Sequence, residues 1–235
     1  VNTERTCAIH QPNLFPRPAT LAKILAADVW VVLDDVQHNH RDYQHRARLA
    51  SIDGEHQQQW LSLSVHRPNG RATLITDARL IDQRTNARRV TKLIEQYYRR
   101  APHWRLVHDL VTAVANVIQA TDRLAEVTEL STRLMLDVLG WRGETIRSST
   151  VLTRPGRSTR LADLANAVDA TDYLCGRGGA TYLDERPFAE HGIHVRYLDA
   201  PPGSDGRISA LRHLALTGSP QNHRAHLSES CFIRS

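Results

Sequence analysis

The sequence predicts an α/β fold, and three observations carry that reading. Two short apolar runs, Thr6–Gln11 and Val29–Asp34, each end abruptly in polar side chains. Between them Leu21, Ile24 and Leu25 recur at helical spacing. Strand-like and helix-like stretches then alternate again after about residue 145. A run that is apolar on both faces suits a strand buried on both sides, as in a parallel sheet. The opening therefore reads as a βαβ unit whose two strands lie side by side and parallel.

The elements follow in order. Asp53-Gly54 is a hairpin turn joining Arg46–Ser51 to Gln58–Val65. Further extended pieces are expected at Thr73–Thr76 and Ala78–Ile81, so that this antiparallel part extends the parallel start into one mixed sheet. The middle, about residues 84–140, is helical. Val90, Leu93, Ile94 and Tyr97 form one stripe, Leu106, Leu110, Val114 and Val117 a second, and Asp122–Leu139 a third helix ended by Gly140. The last third returns to α/β. It has strands at Thr145–Ser149, Tyr173–Cys175 and His194–Leu198, and helices at Arg160–Val168, Tyr182–His191 and Ser209–Leu216. Residues 1–218 read as a single α/β domain and 219–235 as a loose tail.

Composition narrows the function classes. A chain of 235 residues can bury a substantial core. No apolar run approaches the roughly 20 residues of a membrane span, and the first residues lack the apolar core of a signal peptide, so a cytoplasmic location is expected. Cysteines at 7, 175 and 231 form neither a C-x-x-C pair nor an even disulfide set. His38, His40 and His45 match none of the usual zinc spacings, and no metal is expected. The net charge of +5 suits either a soluble basic surface or attraction to phosphate and carboxylate groups. The helical arginines, from Arg84 to Arg105, read as a solvated face, with no recognised nucleic-acid motif beside them.

In open α/β sheets ligands bind beyond the carboxyl ends of the strands. His10, Gln11 and Asn13 follow the first strand, and Asp34, Asp35 and Gln37 the second. His10 is the candidate general base, because a neutral imidazole can take a proton near pH 7. Asp34 or Asp35 would orient its ring. Arg46 and Arg48 alternate in a strand near the mouth and offer planar forks to an anion. Gly176, Arg177, Gly178 and Gly179 form a glycine-rich turn between a strand and a helix, where backbone N–H groups can cradle a phosphate, carboxylate or oxyanion. The plainer reading is a turn that needs small residues. Cys175, just before that turn, is a candidate nucleophile or a packing residue.

The run IHQPNLFP, then LDDVQ, then RDYQHRARL, and later YLCGRGGATYLD with GIHVRYLD, resembles the WbqC-like family in this order. The resemblance spans Ile9 to about Leu216. It departs at Arg17-Pro18-Ala19-Thr20, where the family usually has a Trp-Leu-Gly-Phe-like segment. The resemblance implies a biosynthetic setting, such as O-antigen or other biosynthetic gene clusters, and names no cofactor. Three functions fit: a transferase moving an acyl, aminoacyl or similar group to a small acceptor; a nucleotide-dependent enzyme of the nucleotidyltransferase-like class, although the HxGH signature is absent; and a non-catalytic binding protein. The expected partner is a small molecule, anionic or phosphate-bearing. Nucleic acid is not expected, with a tRNA-linked donor left open.

Overall fold

The computed structural model describes residues 4–199 and 206–219. Five parallel strands form the central sheet: β1 (Thr6–His10), β2 (Val29–Val32), β7 (Glu144–Arg147), β8 (Asp172–Gly176) and β9 (His194–Leu198). Their order across the sheet is β7-β2-β1-β8-β9. As expected, β1 and β2 are adjacent and parallel, in register from Cys7 against Val29 to His10 against Val32. The helix α1 (Pro18–Leu25) links them. Pro18 starts it, where the missing N–H has no helical partner to lose.

Alternation along the strands gives the sheet two apolar faces. Ala8, Trp30, Val32 and Leu174 pack with Leu21 and Ile24 of α1 and with the helical segment. That segment comprises α2 (Gln83–Tyr98), α3 (Trp104–Ala120) and α4 (Leu124–Val138), joined by the later helix α8 (Leu211–Thr217). Cys7, Ile9, Val31, Tyr173 and Cys175 pack on the other face, against α5 (Arg157–Asn166) and Phe188 of α7 (Arg186–Glu190). Gly140 sits at φ +85° after α4, where an L side chain would be strained, and its N–H returns to the Asp137 carbonyl.

Three expectations are corrected. The hairpin of β3 (Arg46–Ser51) and β4 (Gly54–Ser62) forms its own two-stranded sheet, as do β5 (Val65–His66) and β6 (Arg79–Leu80). They do not lengthen the central sheet, because β7 takes the free edge of β2. Residues 73–76 form no strand of a sheet: an isolated bridge of Leu74 with Gln37 leads into a turn, and the Ile75 and Thr76 N–H groups donate to the Val36 and Asp34 carbonyls. Arg177–Ala180 is itself a helical turn, α6, and the helix expected over Tyr182–His191 shortens to Arg186–Glu190 because Pro187 fits only a first turn. Of the expected tail, all but Ser219 lies outside the described residues; the Ser219 hydroxyl donates to the Val138 carbonyl at 2.6 Å.

The loop after β1 is fixed by α4. The Thr132 hydroxyl accepts from the Asn13 N–H at 3.3 Å and donates to the Asn13 carbonyl at 3.0 Å, while Ser131 accepts from the Phe15 N–H at 2.8 Å. Phe15 has φ +43° and is fully buried, so this anchoring also holds a strained residue in place. Thr132→Val should remove both Asn13 bonds and lower stability by about 1–3 kcal/mol, since a buried N–H and carbonyl lose their partner. Urea unfolding measures this, and an unchanged midpoint would show that the loop holds itself.

Candidate active site

The sheet opens at its C-terminal edge between β1 and β8. Pairing of β1 with β2 runs to His10, and pairing of β8 with β9 runs to Gly176. Pairing of β1 with β8 stops two residues earlier, at Ala8 opposite Leu174. These two strands flank the point where the strand order reverses, which is where open α/β sheets bind ligands. His10 ends one of these strands and Cys175 and Gly176 end the other, so the crevice expected from this strand order lies between them.

One residue in the crevice escaped the sequence reading. Lys23, in the last turn of α1, donates from Nζ to the Ile9 carbonyl at 2.9 Å. That carbonyl lies just past the last β1–β8 pair. Burial lowers the ammonium to about 8, and the thiols of Cys175 and Cys7 oppose the shift. A lysine among Leu21, Ile24 and Leu25 was the available clue.

His10 is partly buried, on the same face as Ala8 and therefore on the α1 side of the sheet. Its Nδ1 lies 2.7 Å from the Gln11 carbonyl. A carbonyl only accepts, so Nδ1 carries the proton and Nε2 offers a lone pair. Burial first, then the cations Lys23 and Arg17, hold the ring down to about 3. The main chain here is also tied, because Trp30 Nε1 donates to the His10 carbonyl at 3.1 Å.

Asp34 and Asp35 do not orient this ring. Asp34 is 3% exposed, and its carboxylate accepts from the Ser148 hydroxyl at 3.1 Å, the Ser149 N–H at 3.0 Å and the Ser149 hydroxyl at 2.8 Å. Asp35 meets Ser148 and Arg160. Both aspartates thus bind the end of β2 to the end of β7 and to α5. Among the described residues no carboxylate bonds the His10 ring, and the Gln11 carbonyl sets its tautomer instead.

The remaining candidates divide. Gln11 meets Gln44, whose Nε2 donates to Gln11 Oε1 at 2.9 Å, so the first and third motifs touch. Asn13 is buried and donates its side-chain amide to the Pro12 carbonyl at 3.1 Å. Gln37 is turned away, onto the Arg71 carbonyl. Arg46 and Arg48 lie over the Trp60 ring at 4.1 and 5.4 Å from its centroid, and Arg46 also bonds the carbonyls of Asp42 and Arg41. No hydrogen bond links these arginines to His10. Burial raises the Cys175 thiol, so it is protonated at neutral pH and a poor nucleophile. Arg177 opens α6, directly after Gly176.

The glycines are not equivalent. A β-carbon on Gly179 would come within 2.2 Å of Cys175 Sγ, so Gly179 is required by packing. One on Gly176 or Gly178 would meet nothing within 4 Å. The fold leaves these two positions free, so their backbone is open to approach from outside.

His38 and His45 form a second feature. Their rings are 5.0 Å apart. Both nitrogens of His38 and Nδ1 of His45 are buried without a hydrogen-bonding partner. Burial lowers each to about 4. Among the described residues no group of three or more His, Cys, Asp or Glu is placed to hold a metal ion. A hollow of about 720 Å³ lies elsewhere, between the β3–β4 turn and α2, with Lys92, Arg99 and Arg100 in its wall. It is open and contains no buried titratable group, whereas the crevice brings together His10 and Lys23.

The description of the WbqC-like protein family matches residues 11–204. The chain belongs to the WbqC-like protein family. An uncharacterized protein of Mycobacterium tuberculosis, Rv1507c, is 28% identical over 195 residues, covering 82% of this chain and 81% of its own length. No solved structure matches. No helix among the described residues is long and apolar enough to cross a membrane. In this WbqC-like chain, the motif that begins at Ile9 lies where β1 ends at His10.

Two outcomes test the site's architecture. Gly178→Ala should leave the melting temperature unchanged or raise it, since alanine favours a helical turn by about 0.5–1 kcal/mol, while Gly179→Ala should lower it. Equal losses would mean that both glycines serve packing alone. The second concerns pH. His10, His38 and His45 bind protons less readily folded than unfolded, where the ordinary value is 6.5. Between pH 6.5 and about 4 the unfolded chain therefore holds more protons, and stability falls as pH falls, by up to about 1.4 kcal/mol per unit per group. His38→Gln should flatten that slope; an identical slope in the variant would show that His38 titrates normally.

Proposed function

We propose that this WbqC-like protein is a small-molecule transferase. It moves an acyl, aminoacyl or similar group to a small acceptor in secondary-metabolite or cell-surface-sugar biosynthesis, working in the β1–β8 crevice. The observation that carries the reading is His10, with its Nε2 lone pair fixed at the switch point of the sheet. A lone pair there can accept the proton of an acceptor hydroxyl or amine as it attacks. The ring is a weak base first because it is buried, and then because Lys23 and Arg17 repel a proton. An anionic donor would neutralise those cations and raise its basicity, so binding and proton transfer would be coupled. The open backbone at Gly176 and Gly178 would accept the donor's anionic part.

A second reading has its own support. The order β7-β2-β1-β8-β9, numbered by position along the chain within this sheet, is 3-2-1-4-5, an order shared with folds that bind nucleotides at the same place. A nucleotide-dependent enzyme would use the same crevice. Fold order alone is a weak guide to chemistry, so the transferase reading stands first.

Thermal-shift measurements separate the cases. Stabilisation by acyl or aminoacyl donors supports the transferase, and stabilisation by ATP or CTP the nucleotide-dependent enzyme. A shift with product-like molecules alone supports a binding protein. With a donor in hand, His10→Ala should lower turnover at least about 100-fold without loss of fold. Near-normal turnover in both His10→Ala and His10→Gln would remove His10 from the mechanism.

A further inference from the structure

We propose that Lys23 is an amine nucleophile that holds a carbonyl-bearing small molecule, an aldehyde or a ketone, as an imine in the β1–β8 crevice. The inference rests on the reading of that crevice as the ligand site, and is independent of which group is transferred.

Position comes first. Lys23 Nζ is anchored on the Ile9 carbonyl, one residue past the last β1–β8 pair, on the face of the sheet that also carries His10. Among the described residues no carboxylate forms an ion pair with it. The titratable groups that act on it are the thiols of Cys7 and Cys175, and its charge in turn reaches the neutral His10 ring, beside Arg17; Asp172 and Arg5 act on Cys7, and Tyr173 and Glu185 on Cys175. The amine is thus held by one neutral hydrogen bond and can turn toward a ligand.

Composition adds an independent point. Of the 30 basic Lys and Arg residues in the chain, 28 are arginine, and lysine occurs only at 23 and 92. An anion anchor would be served as well or better by the arginine that this chain uses elsewhere. Amine chemistry is what guanidinium cannot supply, because arginine is not deprotonated in proteins. Lys92 is exposed on α2 and pairs with Glu95 at 3.3 Å, an ordinary surface role. Burial brings Lys23 to about 8, so a substantial fraction is free amine near neutral pH.

The step balances without a further reagent. The Nζ lone pair forms a C–N bond to the carbonyl carbon, and the C=O π pair moves to oxygen. A nitrogen proton passes to that oxygen, with His10 Nε2 available to carry it. The proton shed when the ammonium became a free amine returns to the carbinolamine hydroxyl, which leaves as water while the nitrogen lone pair forms the C=N bond. In sum, a protonated lysine and a carbonyl give a protonated imine and water.

Reductive trapping tests this on the full chain. The protein is incubated near pH 7.5 with glyoxylate and sodium cyanoborohydride, and the adducts are mapped by peptide mass spectrometry. Lys92 is the internal control. Burial lowers Lys23 to about 8 and so raises its free-amine fraction near this pH, and labelling of Lys23 should exceed that of Lys92 by at least about tenfold. The preference should vanish in denaturant. Lys23→Arg should fold with a similar melting temperature and show no crevice adduct. Equal labelling, or labelling that favours Lys92 in the folded protein, overturns the proposal. The nuclear magnetic resonance signals of the His10 ring, followed as glyoxylate is added, keep the two readings apart. A response at His10 without an adduct at Lys23 overturns the imine and leaves the crevice standing. An adduct at Lys23 with a response at His10 supports both.

Discussion

The early end of the β1–β8 pairing is the constraint on which the rest of the site depends. Had those strands stayed in register to their ends, the Ile9 carbonyl would have bonded to β8, and Lys23 would have had no polar group to reach. Their separation frees that carbonyl, admits an amine from α1 and leaves His10 at an open edge. The functional groups gather there because the backbone stops pairing. Their sequence positions, on β1, α1 and β8, are far apart.

Most of the polar motif residues hold this opening in shape rather than line it. Ser131 and Thr132 take the backbone groups of the loop after β1. Asp34 gives both carboxylate oxygens to Ser148 and Ser149, joining β2 to β7. Gln11 and Gln44 tie the loop to the segment before β3. Buried polar groups are expensive unless paired, so such a network fixes the strand ends in one arrangement. A mobile strand end could not hold an imidazole and an amine at the end of β1.

The sequence made the central sheet legible where strands are buried on both faces. The runs at Thr6 and Val29 have no polar interruption, and only a parallel, helix-covered position accommodates that. The antiparallel hairpin was legible as a hairpin, from Asp53-Gly54, but not in its placement, since turn chemistry says nothing of which edge a strand will occupy. His10 was legible as a strand-end residue. Its orienting partner was not, because a backbone carbonyl leaves no trace in residue type; an aspartate nearby in sequence was the natural but incorrect choice. Lys23 was missed because a single lysine on a helix usually points into water. The three glycines looked alike, and only the position of Cys175 Sγ separates Gly179 from Gly176 and Gly178.

His10 presents an unprotonated Nε2 at the end of β1, its tautomer fixed by the Gln11 carbonyl. Nitrogen-15 nuclear magnetic resonance of the histidine rings across pH 5 to 8 tests it most directly. A His10 ring that stays neutral throughout, with its proton on Nδ1 and a lone pair on Nε2, is the expected result. A ring that titrates near the ordinary value of about 6.5, or that carries its proton on Nε2, would contradict it.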